Sequence, residues 1–243
     1  MIVYENIEKA LEAIKHTSLT KGSPIYYRGQ NKDYHITSSL HRLTSDIDIE
    51  NEAIKTNAFI QWIKKRNTLL PSAVAVNDLL HGTDLVYWAI AQHYGYKTDL
   101  IDFTTNLETA TAFSLLGRRV GNNGVIYCLW EDDVQDIINL YLYANSSFDP
   151  KSQELLESVN YNPFFTFKMD ELSRITNQHG LFLWDLNSII SSYWNQYVMN
   201  NKQWVDTHCY IFHQTDTNID TSVLRAVYPV SYTHLRAHET SAH

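Results

Sequence analysis

Cysteine is nearly absent from this chain: Cys128 and Cys209 are the two in 243 residues, far apart in apolar, strand-like surroundings. With neither Cys-x-x-Cys spacing nor a neighbouring ligand set, they read as reduced, buried thiols of a cytoplasmic protein. Basic residues are outnumbered, 19 Lys and Arg against 27 Asp and Glu, for a net charge of −8. Broad contact with a phosphate backbone needs the opposite sign, so nucleic acid is not an expected partner. The basic run Lys64-Lys65-Arg66 reads as a solvated helix face. Long apolar runs are missing, and with them any segment able to span a bilayer. Met1 to His16 instead spaces Ile7, Leu11 and Ile14 as an amphipathic helix rather than a signal peptide. No Walker loop, dinucleotide glycine fingerprint or Ser-His-Asp order is present. His208 and His213 flank a strand at odd spacing and so face opposite sides, and no metal is expected.

What remains is a composition that builds a core. Hydrophobic residues make up 44% of the chain, and no Pro/Gly/Ser-rich linker, internal repeat or low-complexity run divides it. The polar stretch Ala144 to Asn162 reads as an excursion within one domain. Strands are expected at 23–27, 125–130, 181–184 and 209–212, with helices at 53–66 and 132–142. Regular strand–helix alternation is lacking, so the expected class is α+β, a mixed central sheet with flanking helices. Trp88, Trp130, Trp184 and Trp194 are assigned to the core.

Organisation is densest from Gln92-His93-Tyr94-Gly95 through Thr98-Asp99-Leu100-Ile101-Asp102-Phe103-Thr104-Thr105-Asn106 to Ala110. A helix starting at Thr83-Asp84 would stop at Gly95, with Gln92 on the face that carries Leu85, Trp88 and Ala89. A glutamine on such a face needs partners, either backbone or ligand. In the strand that follows, alternation directs Asp102 and Thr104 to one side and Ile101 and Phe103 to the other. Thr105 and Glu108 have capping-box spacing for the next helix, whose free N–H groups would sit beside Asp102 and Thr104. The plainer alternative is that these polar residues only cap and satisfy backbone.

This block resembles the central motif of the FRG family: a Gln-His-Tyr-Gly turn, a Pro-Thr-Arg-Leu-Leu-Asp-Trp-Thr strand and an Asn-Pro-Leu-x-Ala-Leu helix. Tyr27-Arg28-Gly29-Gln30 resembles the Phe/Tyr-Arg-Gly element that names the family, and Arg174, Gln178, Gly180 and Phe182 match its later Arg and Gln-x-Gly-x-Phe element. The resemblance spans roughly Ile25 to Trp184. Lys97, Asp99 and Phe103 depart from the family's Pro, Arg and Trp, and Asp99 reverses the local charge. More faintly, the order of elements resembles the ADP-ribosyltransferase fold, in which an early Arg holds a dinucleotide and a later Ser/Thr pair precedes a helix. That likeness implies a nucleotide ligand, NAD, and a transferase or toxin acting in bacterial conflict. Tyr27, Arg28, Gly29, Gln30, Gln92, Thr104, Thr105 and Arg174 would bind the ligand, and His93, Asp102, Gln178 and His179 are the catalytic candidates. The transferase's catalytic acid has no clear counterpart, although Glu171 lies just upstream of Arg174. The alternative is a ligand-sensing or protein-interaction module using the same polar pocket. Arg28 could equally pair with Asp102 or Asp33 in a structural network, and each histidine could serve as a simple hydrogen-bonding residue.

Val230 to Thr240 resembles a translated sequencing-library adapter, so residues 229–243 are expected to be a non-native tail. Its His234, His238 and His243 are set aside as metal ligands for that reason. The expected single domain therefore occupies 1–228, truncated at its C-terminal end.

Overall fold

Two strands of the motif block, and the apolar strands expected around them, assemble into one seven-stranded mixed sheet. The computed structural model describes residues 1–66, 74–75, 84–117, 120–146, 162–168, 179–185 and 188–215. Its strands are β1 (Val3–Tyr4), β2 (Tyr26–Gln30), β3 (Val74–Ala75), β4 (Leu100–Thr104), β5 (Asn123–Leu129), β6 (Phe164–Phe165), β7 (Phe167–Lys168), β8 (Gly180–Trp184) and β9 (Cys209–His213). The large sheet runs β1-β9-β5-β2-β4-β8-β6, with β1 parallel to β9 and every other neighbour antiparallel. Strands β3 and β7 form a separate antiparallel pair. The helices are α1 (Ile7–Lys21), α2 (Asp46–Arg66), α3 (Asp84–His93), α4 (Leu107–Leu115), α5 (Glu131–Ser146), α6 (Ile189–Tyr193) and α7 (Lys202–His208), and a π turn, Trp194–Val198, continues α6. The class is α+β, and no described helix is long and apolar enough to cross a membrane.

Side-chain alternation gives the sheet two buried faces. On one, Ile7, Ala10 and Ile14 of α1 and Ala110 and Leu115 of α4 pack on Tyr27, Ile126, Cys128 and Phe212. Farther along that face, Val86, Ala89 and Ile90 of α3 and Ile63 of α2 cover Leu100 and Phe182. On the other, Ile101, Phe103, Val125, Tyr127 and Leu129 meet Val134 and Ile137 of α5, Ile190 of α6 and Val205 of α7. Helix α4 lies so close to β2 that a Cβ at Gly29 would sit 1.7 Å from the Ala110 carbonyl oxygen. Only a residue without a side chain permits that approach.

Element ends differ from the expectations in instructive ways. The N-terminal segment opens with β1 before α1, because Asn6 caps the helix by accepting from the Lys9 N–H at 3.0 Å. The same helix runs on to Lys21, where Gly22 at φ 82 stops it. Helix α2 begins at Asp46, with Asp46 and Asp48 in its first turn complementing the helix dipole. The cap of α4 is Asn106 rather than Thr105: its Oδ1 accepts from the Thr109 N–H at 3.0 Å, and no Thr105–Glu108 box forms. Trp130 and Trp194 are buried as expected, whereas Trp88 and Trp184 are partly exposed. The Thr83 part of the expected cap, residues 147–161 of the polar excursion, Glu171, Arg174, Gln178 and the 229–243 tail lie outside the described residues.

Candidate functional site

Strand β2 pairs with β5 over five positions, but its ladder to β4 holds a single position, Tyr27 opposite Thr104. Past that pair the strands part, and the side chain of Arg28 bridges the opening. Its Nη1 donates to the main-chain oxygen of Asp102, and its Nε donates to Gln30 Oε1 at 3.0 Å. Gln30 is buried and in turn donates to the Tyr34 oxygen at 2.7 Å, which also accepts from the Tyr127 hydroxyl at 2.7 Å. The guanidinium is thus held from two directions, which suits a fork meant to keep one orientation.

The opposite wall comes from the end of α3. Gly95 at φ 89 ends the helix, its N–H donating to Gln92 O and that of Tyr96 to Ala91 O, both at 3.0 Å. This stop turns the chain so that Gln92, Gly95, Tyr96 and Lys97 face the gap between β2 and β4. Gln92 Nε2 donates to Asp102 Oδ1 at 2.6 Å, and the buried Thr98 hydroxyl donates to Gln92 Oε1. A third wall is the loop after β2. Ser39 Oγ accepts from the Thr98 N–H at 2.9 Å, the Leu40 N–H donates to Thr98 O at 3.1 Å, and Arg42 Nη2 donates to Thr37 O at 3.3 Å.

Between these walls lies a cavity of about 270 Å³ that receives Arg28, Arg42, Gln92 and Asp102 together, with Thr37 and Ser39 on its loop side. Burial lowers the Arg28 guanidinium to about 10, and the neighbouring Arg42 adds to that, while Asp102 works in the opposite direction. Arg42 is likewise lowered by burial and supported by Asp102. Two cations here share one carboxylate.

Of the residues singled out from sequence, Arg28, Gln92 and Asp102 line the cavity, and Gln30 buttresses Arg28. Tyr27 is buried beneath α1 and α4, and Gly29 faces Ala110. Thr104 is buried, its Oγ1 accepting from the Asn106 N–H at 3.1 Å, and the exposed Thr105 donates its N–H to His179 O at 3.2 Å. His93 ends α3 with its ring edge-on to Tyr94, at 5.7 Å between centroids. His179 is exposed at φ 47. Neither histidine is among the cavity's lining residues.

Sequence reasoning missed Arg42, Ser39 and Thr37. The polar cluster Ser38-Ser39-Leu40-His41-Arg42 was the available signal, but a loop carries no periodicity to say which side chain turns inward. It also missed a second cluster behind the wall. His41 Nδ1 lies 3.6 Å from Asp99 Oδ1 and 3.7 Å from Asp185 Oδ2, and it meets Ser38 Oγ at 2.9 Å. Asp185 is fully buried, accepts from the Ile190 and Ser191 N–H groups at 2.9 and 3.1 Å, and accepts from the Ser191 hydroxyl. Its carboxylate raises the His41 pKa, and burial pushes Asp99 up to about 6. Asp99 is not among the cavity's lining residues and lies instead 3.6 Å from His41 Nδ1. Among the described residues, no three His, Cys, Asp or Glu side chains are grouped to hold a metal ion.

Residues 23–122 match the family described as the FRG domain. The match runs from the approach to β2 to the start of β5 and contains every residue that lines the cavity. Among curated proteins and among solved structures, none matches the chain.

Proposed function

Since this chain carries an FRG domain over residues 23–122, we propose that the domain binds a nucleotide, with NAD the first candidate, in the cavity between β2 and β4. The observation that carries the reading is the convergence of Arg28 and Arg42 on one cavity whose single described carboxylate is Asp102. A pair of guanidiniums is the usual means of gripping phosphate oxygens bidentately. Gln92, Ser39 and Thr37 add the neutral donors and acceptors that a ribose or amide needs. Asp102 would face a sugar or cationic portion, because against a phosphate it would repel.

Size sets the extent of the grip. Sites that enclose a whole drug-sized ligand measure about 300–1,000 Å³, so a cavity of about 270 Å³ takes a phosphate with its adjoining sugar and leaves the rest of a dinucleotide outside. The residues present fit that portion. Transfer from NAD, in a cytoplasmic toxin of bacterial conflict, is the enzymatic form of this reading.

A non-catalytic sensing module is the second reading. It is favoured by Asp102, the one acid lining the cavity among the described residues, being hydrogen-bonded to Gln92 at 2.6 Å rather than held ready for a substrate. Calorimetric titration with NAD separates the two. Saturable binding lost in Arg28→Ala and Arg42→Ala, followed by nicotinamide release, supports the enzyme. Binding without release supports the module, and flat heats from a cooperatively melting protein remove NAD as the ligand. Growth arrest on expression, relieved by Arg28→Ala, would support the toxin form.

A further inference from the structure

The loop wall of the cavity between β2 and β4 is tied down from behind. Residues 37–42 give Thr37, Ser39 and Arg42 to the lining, and they form turn and coil rather than helix or strand. A wall without a ladder keeps its place through a few separate bonds. Some of these reach Thr98: Ser39 Oγ accepts its N–H at 2.9 Å, and the Leu40 N–H donates to its oxygen at 3.1 Å. The remaining tie is His41, which is not in the lining and sets its Nδ1 3.6 Å from Asp99 Oδ1 and 3.7 Å from Asp185 Oδ2. Asp99 immediately precedes β4 and Asp185 immediately follows β8, and the Asp185 N–H donates to Asp99 O at 2.9 Å. The loop is therefore clamped to one corner of the sheet.

Charge decides how firmly. Asp99 Oδ1 is sealed from solvent and accepts no hydrogen bond, while the fully buried Asp185 is held by the Ile190 and Ser191 N–H groups and the Ser191 hydroxyl. Asp99 and Asp185 are the charged groups that face the ring, and its other neighbours are neutral: Ser38 Oγ at 2.9 Å, and Ser191 behind Asp185. A protonated ring places a cation between two carboxylates. A neutral ring leaves those carboxylates facing each other with nothing positive between them. Strands fix both acids, so the loop is the part that yields. Arg42 follows it, because its hydrogen bond runs to Thr37 O within the same loop. Asp185 foremost, with Asp99 adding and burial opposing, raises His41 above 6.5, so the clamp is closed in acid and opens on the alkaline side.

We propose that His41 is a positioning residue for the cavity: its protonated ring clamps residues 37–42 onto Asp99 and Asp185, and loss of that proton withdraws Ser39 and Arg42 and weakens the hold on an anion. The clamp stands on this geometry alone, and its effect on binding rests on the reading of the cavity as a phosphate site.

The test is a pH titration of the full chain by NMR of backbone amides and arginine side chains, first without ligand and then with sulfate. Sulfate keeps its charge across the range, as does Arg28, whose guanidinium lies at about 10. From about pH 6.5 to about pH 8.5 the Leu40, Thr98 and Arg42 Nε–H signals should shift together with one midpoint, and sulfate affinity should fall roughly tenfold. His41→Gln, neutral throughout, should abolish both changes and bind sulfate at the weaker level at every pH. Asp99→Asn removes one of the two acids and should move the midpoint to lower pH, which keeps the proposal testable should His41→Gln fail to fold. Loop signals that do not titrate, a titration that persists in His41→Gln, a midpoint unmoved in Asp99→Asn, or measurable sulfate affinity that ignores pH would overturn the proposal. A titrating loop with no sulfate binding at any pH would uphold the clamp and overturn the phosphate reading instead.

Discussion

Gln92 and Asp102, ten residues apart, meet through a 2.6 Å hydrogen bond from amide to carboxylate at the cavity between β2 and β4. The same amide accepts from the buried Thr98 hydroxyl, so both ends of Gln92 are committed. This fixes its orientation, with nitrogen toward the acid and oxygen toward the hydroxyl. It also fixes the Asp102 carboxylate relative to Arg28, which holds the main chain of that residue.

Gln92→Leu should therefore weaken both fold and site. Thr98 is fully buried and would lose the acceptor for its hydroxyl, a cost of about 1–3 kcal/mol. Urea unfolding would register this as a lower midpoint. An unchanged midpoint would mean that Thr98 finds another acceptor and that Gln92 is dispensable to the fold.

Gly29→Ala should be far more damaging than Gly22→Ala. At Gly29 the new Cβ would collide with the Ala110 backbone, which cannot rotate away, so β2 and α4 must separate at a cost of roughly 3 kcal/mol or more. At Gly22 nothing lies within 4 Å of the added atom, and the penalty is the φ of +82 alone, about 1–2 kcal/mol. Comparing the two melting temperatures checks the ordering, and near-equal losses would refute the close packing of α4 on β2.

The Asp99–His41–Asp185 cluster gives stability a defined pH dependence. Asp99 is raised from 3.8 to about 6, so between those values the folded protein holds a proton that the unfolded chain has released. Stability from this group is full below about pH 4 and falls as pH rises toward about 6, by on the order of 3 kcal/mol. His41 is raised from 6.5, so its contribution is full below pH 6.5 and falls as pH climbs through its higher folded value. Both slopes run the same way. Asp99→Asn should flatten the acid limb between about pH 4 and 6, which chemical unfolding at a series of pH values would show. An unaltered slope would place the titration elsewhere.

Neither cysteine should react in the native protein. Cys128 and Cys209 are buried in adjacent strands, and burial raises both thiols above their ordinary value. Iodoacetamide at neutral pH should label neither until denaturant is added, because the thiolate is the reactive form. Prompt labelling of the native chain would contradict the placement of β5 and β9 inside the sheet.

Strands β4, β5, β8 and β9 were legible because each is a short, largely apolar run, whereas the strand expected at 23–27 is β2 at Tyr26–Gln30, and the two-residue strands β1, β3, β6 and β7, too short to show alternation, were not anticipated. Leu181 to Trp184 and Cys209 to Phe212 needed no context, and alternation in β4 correctly divided Asp102 from Ile101 and Phe103. Helix ends were less legible. Asn106 rather than Thr105 is the cap, although Asn and Thr both cap well, and the Asn106 N–H is itself held by Thr104 Oγ1. The FRG motif located Arg28, Gln92 and Asp102 but could not say which side chains of the motif are structural.

That distinction came from packing. Local sequence prescribed the helix stop at Gly95, the alternation in β4 and the match to the family, since each rests on neighbours along the chain. The single-pair ladder between β2 and β4, the arrival of Arg42 beside Arg28, and the meeting of His41 with Asp99 and Asp185 join residues distant in the chain. Such meetings depend on sheet order and loop course, which no periodicity encodes, and so the cavity and its charge exist only in the folded molecule.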